Sequence, residues 1–153
     1  MSRKIVLGLG NTLQRDEGVG VYALKALAAN SGDDTSFEFV DGGVLGFRLL
    51  PLIEEASHLL ILDAVDVGTK PGTLVELSRE EIPIYAGVKL SQHQVTFQEI
   101  LGWASVRGRL PDNLYLLGVQ PEDLSVGTTL SPVIQEKVGQ IVNRADCLLR
   151  HWA

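Results

Sequence analysis

GLGNTLQRDEGVG, Gly8 to Gly20, follows a short apolar run and opens a helix with the acidic pair Asp16-Glu17. The run before it, KIVLGLG, is apolar on both faces and ends in glycine, as a buried parallel strand does. A parallel sheet delivers its loops to one edge, so an acid placed here can meet acids from other strand ends. Two further acidic strand ends follow, at Asp41 and Asp63. His93, flanked by polar residues in SQHQ, completes an oxygen-and-nitrogen set suited to a divalent metal.

Working outward, Val19, Tyr22, Ala23, Ala26 and Leu27 recur at helical spacing, with Asp16 as the expected N-cap and Asn30 to Asp34 as the break. FEFV, Phe37 to Val40, reads as a second strand that ends at Asp41-Gly42-Gly43. A second helix carries Leu45, Leu49, Leu52, Ile53 and Ala56 on one face and runs to about Glu55, with Pro51 expected to kink it. His58 to Leu62 is a third strand, leading into DAVDVG.

Gly68 and Pro71-Gly72 are turn signals before a fourth strand, Thr73 to Leu77. That connection is shorter than the dozen or so residues a parallel crossover needs, so this strand is antiparallel to its neighbour or lies at an edge. Ser78 to Leu90 reads as a surface connection with a short turn near Glu80. Two capping boxes, Ser91 with Gln94 and Thr96 with Glu99, compete to start a helix bearing Phe97, Ile100, Leu101 and Ala104, with His93 at or just before its first turn. Asn113 to Val119 is a fifth strand. Ser131-Pro132 caps a long last helix with Ile134, Val138, Ile141, Ala145 and Leu148 on one face. The expected architecture is a single α/β domain over 1–153. It has three layers, with helices on both faces of a twisted, mostly parallel five-stranded sheet and one strand antiparallel.

Composition narrows the function. A net charge of −6 with scattered lysines and arginines leaves no basic footprint for a nucleic acid. No stretch is long enough to span a membrane, and Ile5 to Leu9 is too short for a signal-peptide core, so an unexported cytoplasmic protein is expected. The single cysteine, Cys147, excludes an intrachain disulfide framework and reads as a small buried hydrophobe; Trp103 and Trp152 need only a core or an interface. No GxSxG elbow supports a serine nucleophile.

Each candidate residue also has a plain role. Asp16 and Glu17 complement a helix dipole, Asp41 before two glycines suits a turn, and Asp63 can cap a loop. Convergence of the first three strand ends on one edge is what raises the functional reading. His58 lies at a strand start on the opposite edge, and His151 near the last helix end, so neither joins the set. A dinucleotide on the Gly8 loop would need the third glycine that Leu13 replaces, and Asp16 and Glu17 would repel its phosphates. A non-enzymatic metal-binding or nucleotide-binding module is the competing class.

Taken together, GLGNTLQRDEGVG, the DGG of Asp41 to Gly43, ILDAVD around Asp63 with PGT at Pro71 to Thr73, SQHQ at His93 and LLGVQPE at Leu116 to Glu122 closely resemble the hydrogenase maturation endopeptidases. The resemblance spans nearly the whole chain. It implies a protease that removes a short C-terminal extension from a nickel-iron hydrogenase large-subunit precursor once nickel is in place. It also implies Glu17, Asp63 and His93 as the metal-contacting residues, and Asp41 in substrate positioning or catalysis. No permanently bound cofactor is expected, because nickel arrives with the precursor, and other divalent metals can take the same ligands. The family's aspartic-type label leaves the mechanism open, with Glu17, Asp41, Asp63 and His93 all candidates for the chemistry. The implied partner is the nickel-loaded precursor, and a monomer is expected.

Overall fold

Strands that are apolar on both sides need helices above and below them, and the computed structural model, which describes residues 3–32, 34, 36–43, 46–84 and 92–152, has that arrangement. The strands β1 (Arg3–Leu9), β2 (Glu38–Gly43), β3 (Ala56–Ala64), β4 (Leu74–Ser78) and β5 (Asn113–Val119) form one sheet in the order β2-β1-β3-β5-β4. All neighbours pair in parallel except β4, which runs antiparallel to β5 at the edge. Both halves of the expectation for the fourth strand therefore hold.

The helices are α1 (Val19–Ser31), α2 (Leu50–Glu55), α3 (Glu81–Ile84), α4 (Gln92–Val106) and α5 (Pro132–Trp152). Side chains alternate across the sheet with period two. Val6, Leu60, Leu62, Leu117 and Val119 pack under α1 and α5, with Ala23, Leu27, Ile134, Ile141 and Ala145. Ile5, Leu7, Leu59, Ile61, Leu114 and Leu116 pack on the other face against Ile53 of α2 and Phe97, Ile100 and Ala104 of α4. Each fully buried Leu or Ile contributes roughly 1.5–3 kcal/mol of transfer free energy, so the two cores, not the loops, hold the layers together.

From β1 the chain crosses through α1 on one face to β2, then through α2 on the other face back to β3. The direction of winding thus reverses between β1 and β3, and the crevice at their carboxyl ends is where doubly wound sheets bind ligands.

Several local expectations are corrected. The second and third strands do not stop before their acids: Asp41 and Asp63 lie within β2 and β3, because backbone pairing continues through Leu9↔Gly43 and Ala64↔Val119 after the apolar run has ended. Pro51 does not kink a helix; a 3-10 turn, Gly46–Leu49, comes first and Pro51 falls in the first turn of α2, where its missing N–H costs nothing. Leu45, placed on that helix face, is outside the described residues. The turn near Glu80 leads into the single turn of α3, and residues 85–90 of that stretch also lie outside them. The helix α4 begins at Gln92, which favours the earlier of the two competing starts, although Ser91 itself is not described. Cys147 is exposed, since the buried line of α5 runs through Ile141, Val142, Ala145 and Leu149 and leaves position 147 on the outer side. Trp103 is exposed too.

Candidate active site

The loop after β1 is shaped by two constraints. Gly10 has φ 133°, a backbone region that L side chains rarely adopt, and a Cβ there would overlap the Glu17 carbonyl oxygen. Arg15, at the start of a 3-10 turn (Arg15–Gly18), takes φ 46°, a left-handed conformation costing a non-glycine residue about 1–2 kcal/mol. The strain is held by the β5–α5 loop. Arg15 donates from Nε to the Thr129 carbonyl at 3.1 Å and pairs with Asp123 at 2.6 Å, while its N–H reaches the Gly127 carbonyl at 3.1 Å.

This sharp turn sends the two adjacent acids to different places. Asp16 is fully buried and faces the β5–α5 loop. Its Oδ2 accepts from the N–H groups of Glu122 (3.0 Å) and Asp123 (2.8 Å) and from the Ser131 hydroxyl (2.7 Å), and its Oδ1 accepts from the Ser131 N–H (2.8 Å). Asp16 therefore does not cap a helix, as the sequence suggested; the residues preceding the 3-10 turn and α1 make no side-chain cap bond. Ser131, the expected cap of α5, sends its hydroxyl proton to Asp16.

Glu17 points elsewhere and is 3% exposed. One turn later Gly20 presses α1 against the sheet so tightly that a Cβ would overlap the backbone oxygens of Leu9 and Leu62. Asp63 follows Leu62 directly and is 2% exposed, its Oδ1 accepting from the Ala64 N–H at 2.7 Å. The close approach at Gly20 thus seats the start of α1, three residues after Glu17, on the carboxyl ends of β1 and β3, the second of which bears Asp63. A phosphate-cradling role for the glycines is not what the packing uses them for, since Gly10 backs onto Glu17 and Gly8 onto Gly20 and Leu24.

His93 enters from the other side. By strand alternation Asp63 shares the face of Leu59 and Ile61, the face that α4 covers. The helix α4 leads into β5, whose start pairs with the start of β3 at Asn113↔His58. Its 15 residues span about 22 Å, close to the length of the seven-residue β5, so its first turn, with His93, stands at the carboxyl edge of the sheet. The side chain of His93 is outside those described. Among the described residues no three His, Cys, Asp or Glu side chains form a group that could hold a metal ion, so a three-ligand set here depends on that histidine.

Asp41 is exposed near the end of β2, beside Gly43, which takes φ 44°. It stands at the same sheet edge, one strand out from the crevice. His58 is at the opposite edge, as expected, with its Nδ1 2.8 Å from the Ser57 hydroxyl and its ring edge-on to Trp152; burial, then the Lys4 charge, lowers its pKa.

Comparison with known proteins fits this geometry. The sequence profile described as hydrogenase maturation protease matches residues 21–146. The chain belongs to the hydrogenase maturation protease family. It is 38% identical over 152 residues to the hydrogenase expression/formation protein HupD of Rhodobacter capsulatus, covering 98% of this chain and 72% of that one. With the hydrogenase 2 maturation protease of Escherichia coli it shares 34% over 149 residues, covering 97% and 91%. The solved structure of the hydrogenase maturating endopeptidase HybD from E. coli aligns with a TM-score of 0.90 at 32% identity, over 99% of this chain and 94% of that one.

In this maturation protease one organising residue was missed by the sequence reading. Gln120, buried just after β5, accepts at Oε1 from the N–H groups of Val67 (2.9 Å) and Thr69 (3.2 Å) and donates from Nε2 to Asp66 at 3.0 Å. Its backbone N–H donates to the Thr73 carbonyl at 2.9 Å, and its carbonyl accepts from Gly72 at 2.8 Å. The loop that leaves Asp63 is therefore fixed by one glutamine. The signal available was a polar residue ending an otherwise apolar strand, in LLGVQPE.

Proposed function

We propose that this protein is an endopeptidase that removes the C-terminal extension of a nickel-iron hydrogenase large-subunit precursor after nickel insertion, with the substrate's own nickel as the recognition element. The observation that supports this reading is that Glu17, in the turn after β1, and Asp63, near the end of β3, are both buried at the carboxyl edge of the sheet. Two buried carboxylates converging at this edge would make a concentrated negative field that suits a divalent cation. With the His93 imidazole they form a set that accepts nickel, zinc, manganese or iron.

Nickel already held by cysteine thiolates of the precursor would complete its shell with these three residues, so no resident cofactor is required. A precursor without nickel lacks those bonds and is discriminated against, which makes recognition a check on metal insertion. Asp41, exposed near the end of β2, would orient the chain to be cut or take a proton from the attacking water, and Asp63 is the other candidate base. Polarisation of the scissile carbonyl by the nickel itself is a third route, so an aspartic-type label would not describe a mechanism. The protein acts as a monomer in the cytoplasm, where its substrate is made; no helix among the described residues is long and apolar enough to cross a membrane.

The test is to incubate the purified protein with nickel-loaded and nickel-free precursor and follow the size of the large subunit. Shortening of the loaded form alone is expected. Equal cleavage of both forms would end the nickel-gating reading.

A further inference from the structure

The β1–α1 and β5–α5 loops are joined as a rigid unit. Gly127 donates to the Leu13 carbonyl at 2.9 Å, Arg15 donates back to Gly127, and Gln14 bridges Gly127. Tyr22 donates from α1 to the Thr128 carbonyl at 2.8 Å, and Asp16 anchors the base of the same loop. On this unit Leu13 is 61% exposed, Leu124 39% and Val126 87%. Isolated surface hydrophobes need no explanation, but three on two loops fastened together form a patch. Both loops leave the carboxyl ends of strands that flank β3, so the patch walls the crevice on the α1/α5 side, and Leu13 precedes Glu17 by only four residues.

We infer that Leu13, Leu124 and Val126 form the docking face for an apolar segment of the substrate protein next to the bond to be cut. This rests on the processing role proposed above. Two observations select that occupant over a second copy of this chain. Three aliphatic side chains present at most a few hundred Å², well short of the roughly 800 Å² per partner that a stable dimer buries. Leu13 and Glu17 also lie in the same β1–α1 connection, so a polypeptide seated on the patch would lie beside the carboxyl edge that bears the candidate acids. The loops are pre-organised by hydrogen bonds that do not involve these side chains, so docking there would cost little ordering entropy.

The test is the double variant Leu13→Ser/Val126→Ser, assayed with nickel-loaded large-subunit precursor, with Leu13→Met/Val126→Ile as the conservative control. KM for the precursor is expected to rise roughly tenfold or more, from the lost burial of two aliphatic side chains. Turnover at saturation should stay near wild type, the melting temperature should be unchanged, and the control pair should restore KM. An unchanged KM in the serine variant sinks the docking face while leaving the processing role intact. So does a wild-type protein that sediments as a dimer that the serine variant dissolves. A wild type that does not shorten the precursor at all sinks the processing role, and the docking face with it.

Discussion

Asp16 and Glu17 are adjacent, both acidic and both buried, yet the structure gives them different work, and substituting each separately tests the division. In Asp16→Asn one amide oxygen can remain at the Oδ2 position, accepting from Glu122, Asp123 and the Ser131 hydroxyl, but the amide NH2 then faces the Ser131 N–H now 2.8 Å from Oδ1. A buried N–H left without an acceptor costs about 1–3 kcal/mol. The three surviving bonds also lose their ionic character, which about halves them. The sum is roughly 3–5 kcal/mol, a fall in melting temperature on the order of 10 °C for a chain of this size. Glu17→Gln removes a charge from the crevice without unpinning the β5–α5 loop, so its melting temperature should stay within a few degrees of wild type. Its processing rate should drop by about 100-fold or more, as when a charge-stabilising group is removed. Thermal melts by circular dichroism and a gel-shift assay of precursor processing read the two quantities independently. If Asp16→Asn melts like wild type, or Glu17→Gln processes like wild type, the assignment of clamp and site is wrong.

Three further outcomes follow from the geometry. Gly20→Ala puts a methyl group into the Leu9 and Leu62 carbonyl oxygens, both backbone, so α1 must lift from the sheet; about 1–3 kcal/mol of overpacking is expected, with a processing loss larger than the melt alone explains, and full activity would show that the tight seating of α1 on the β1 and β3 ends is not needed. Glu76 accepts from Arg144 at 2.9–3.0 Å and from the Tyr115 hydroxyl at 2.6 Å, and the Arg144 bond leads in holding its pKa below the usual carboxylate value. A lowered folded-state pKa gives stability that is present above the unfolded value, about 4.3, and is lost as pH falls through the folded one. Glu76→Gln should thus cost on the order of 1 kcal/mol at pH 7, discounted because the pair is partly exposed, and the gap to wild type in paired melts should narrow as pH falls below the ordinary carboxylate range; a gap that widens in acid refutes the linkage. His93→Ala should fold normally and lose processing, and a well-folded variant with unaltered processing would remove His93 from the site.

What the sequence could show depended on whether the cause was local. The central parallel strands β1, β3 and β5 announced themselves because burial on both faces demands continuous apolar runs, and the odd strand was marked by a connection too short to cross over. Strand ends were misplaced where the causes separate: Asp63 ends the apolar run but not the hydrogen-bonded ladder, which continues to Ala64↔Val119. Cys147 was placed inside on residue type, although helix phase puts it outside, and of the core or interface left open for Trp103 the exposed helix face leaves only the second. The deeper limit is at Asp16-Glu17. Nothing in two neighbouring carboxylates tells which turns into the crevice, because the groups that decide it are backbone N–H donors 106 to 115 residues further on, and a backbone donor has no signature in the sequence. Gln120 is the converse case, a visible side chain whose partners, Val67, Thr69 and Asp66, lie more than 50 residues back. In both cases a polar side chain from one strand end satisfies the loop of another. The carboxyl edge of this sheet is therefore held together by long-range polar contacts while the layers beneath it are held by apolar ones, and substitutions that disturb the edge should alter processing before they unfold the chain, Asp16 excepted, because it is a fully buried carboxylate with four hydrogen bonds.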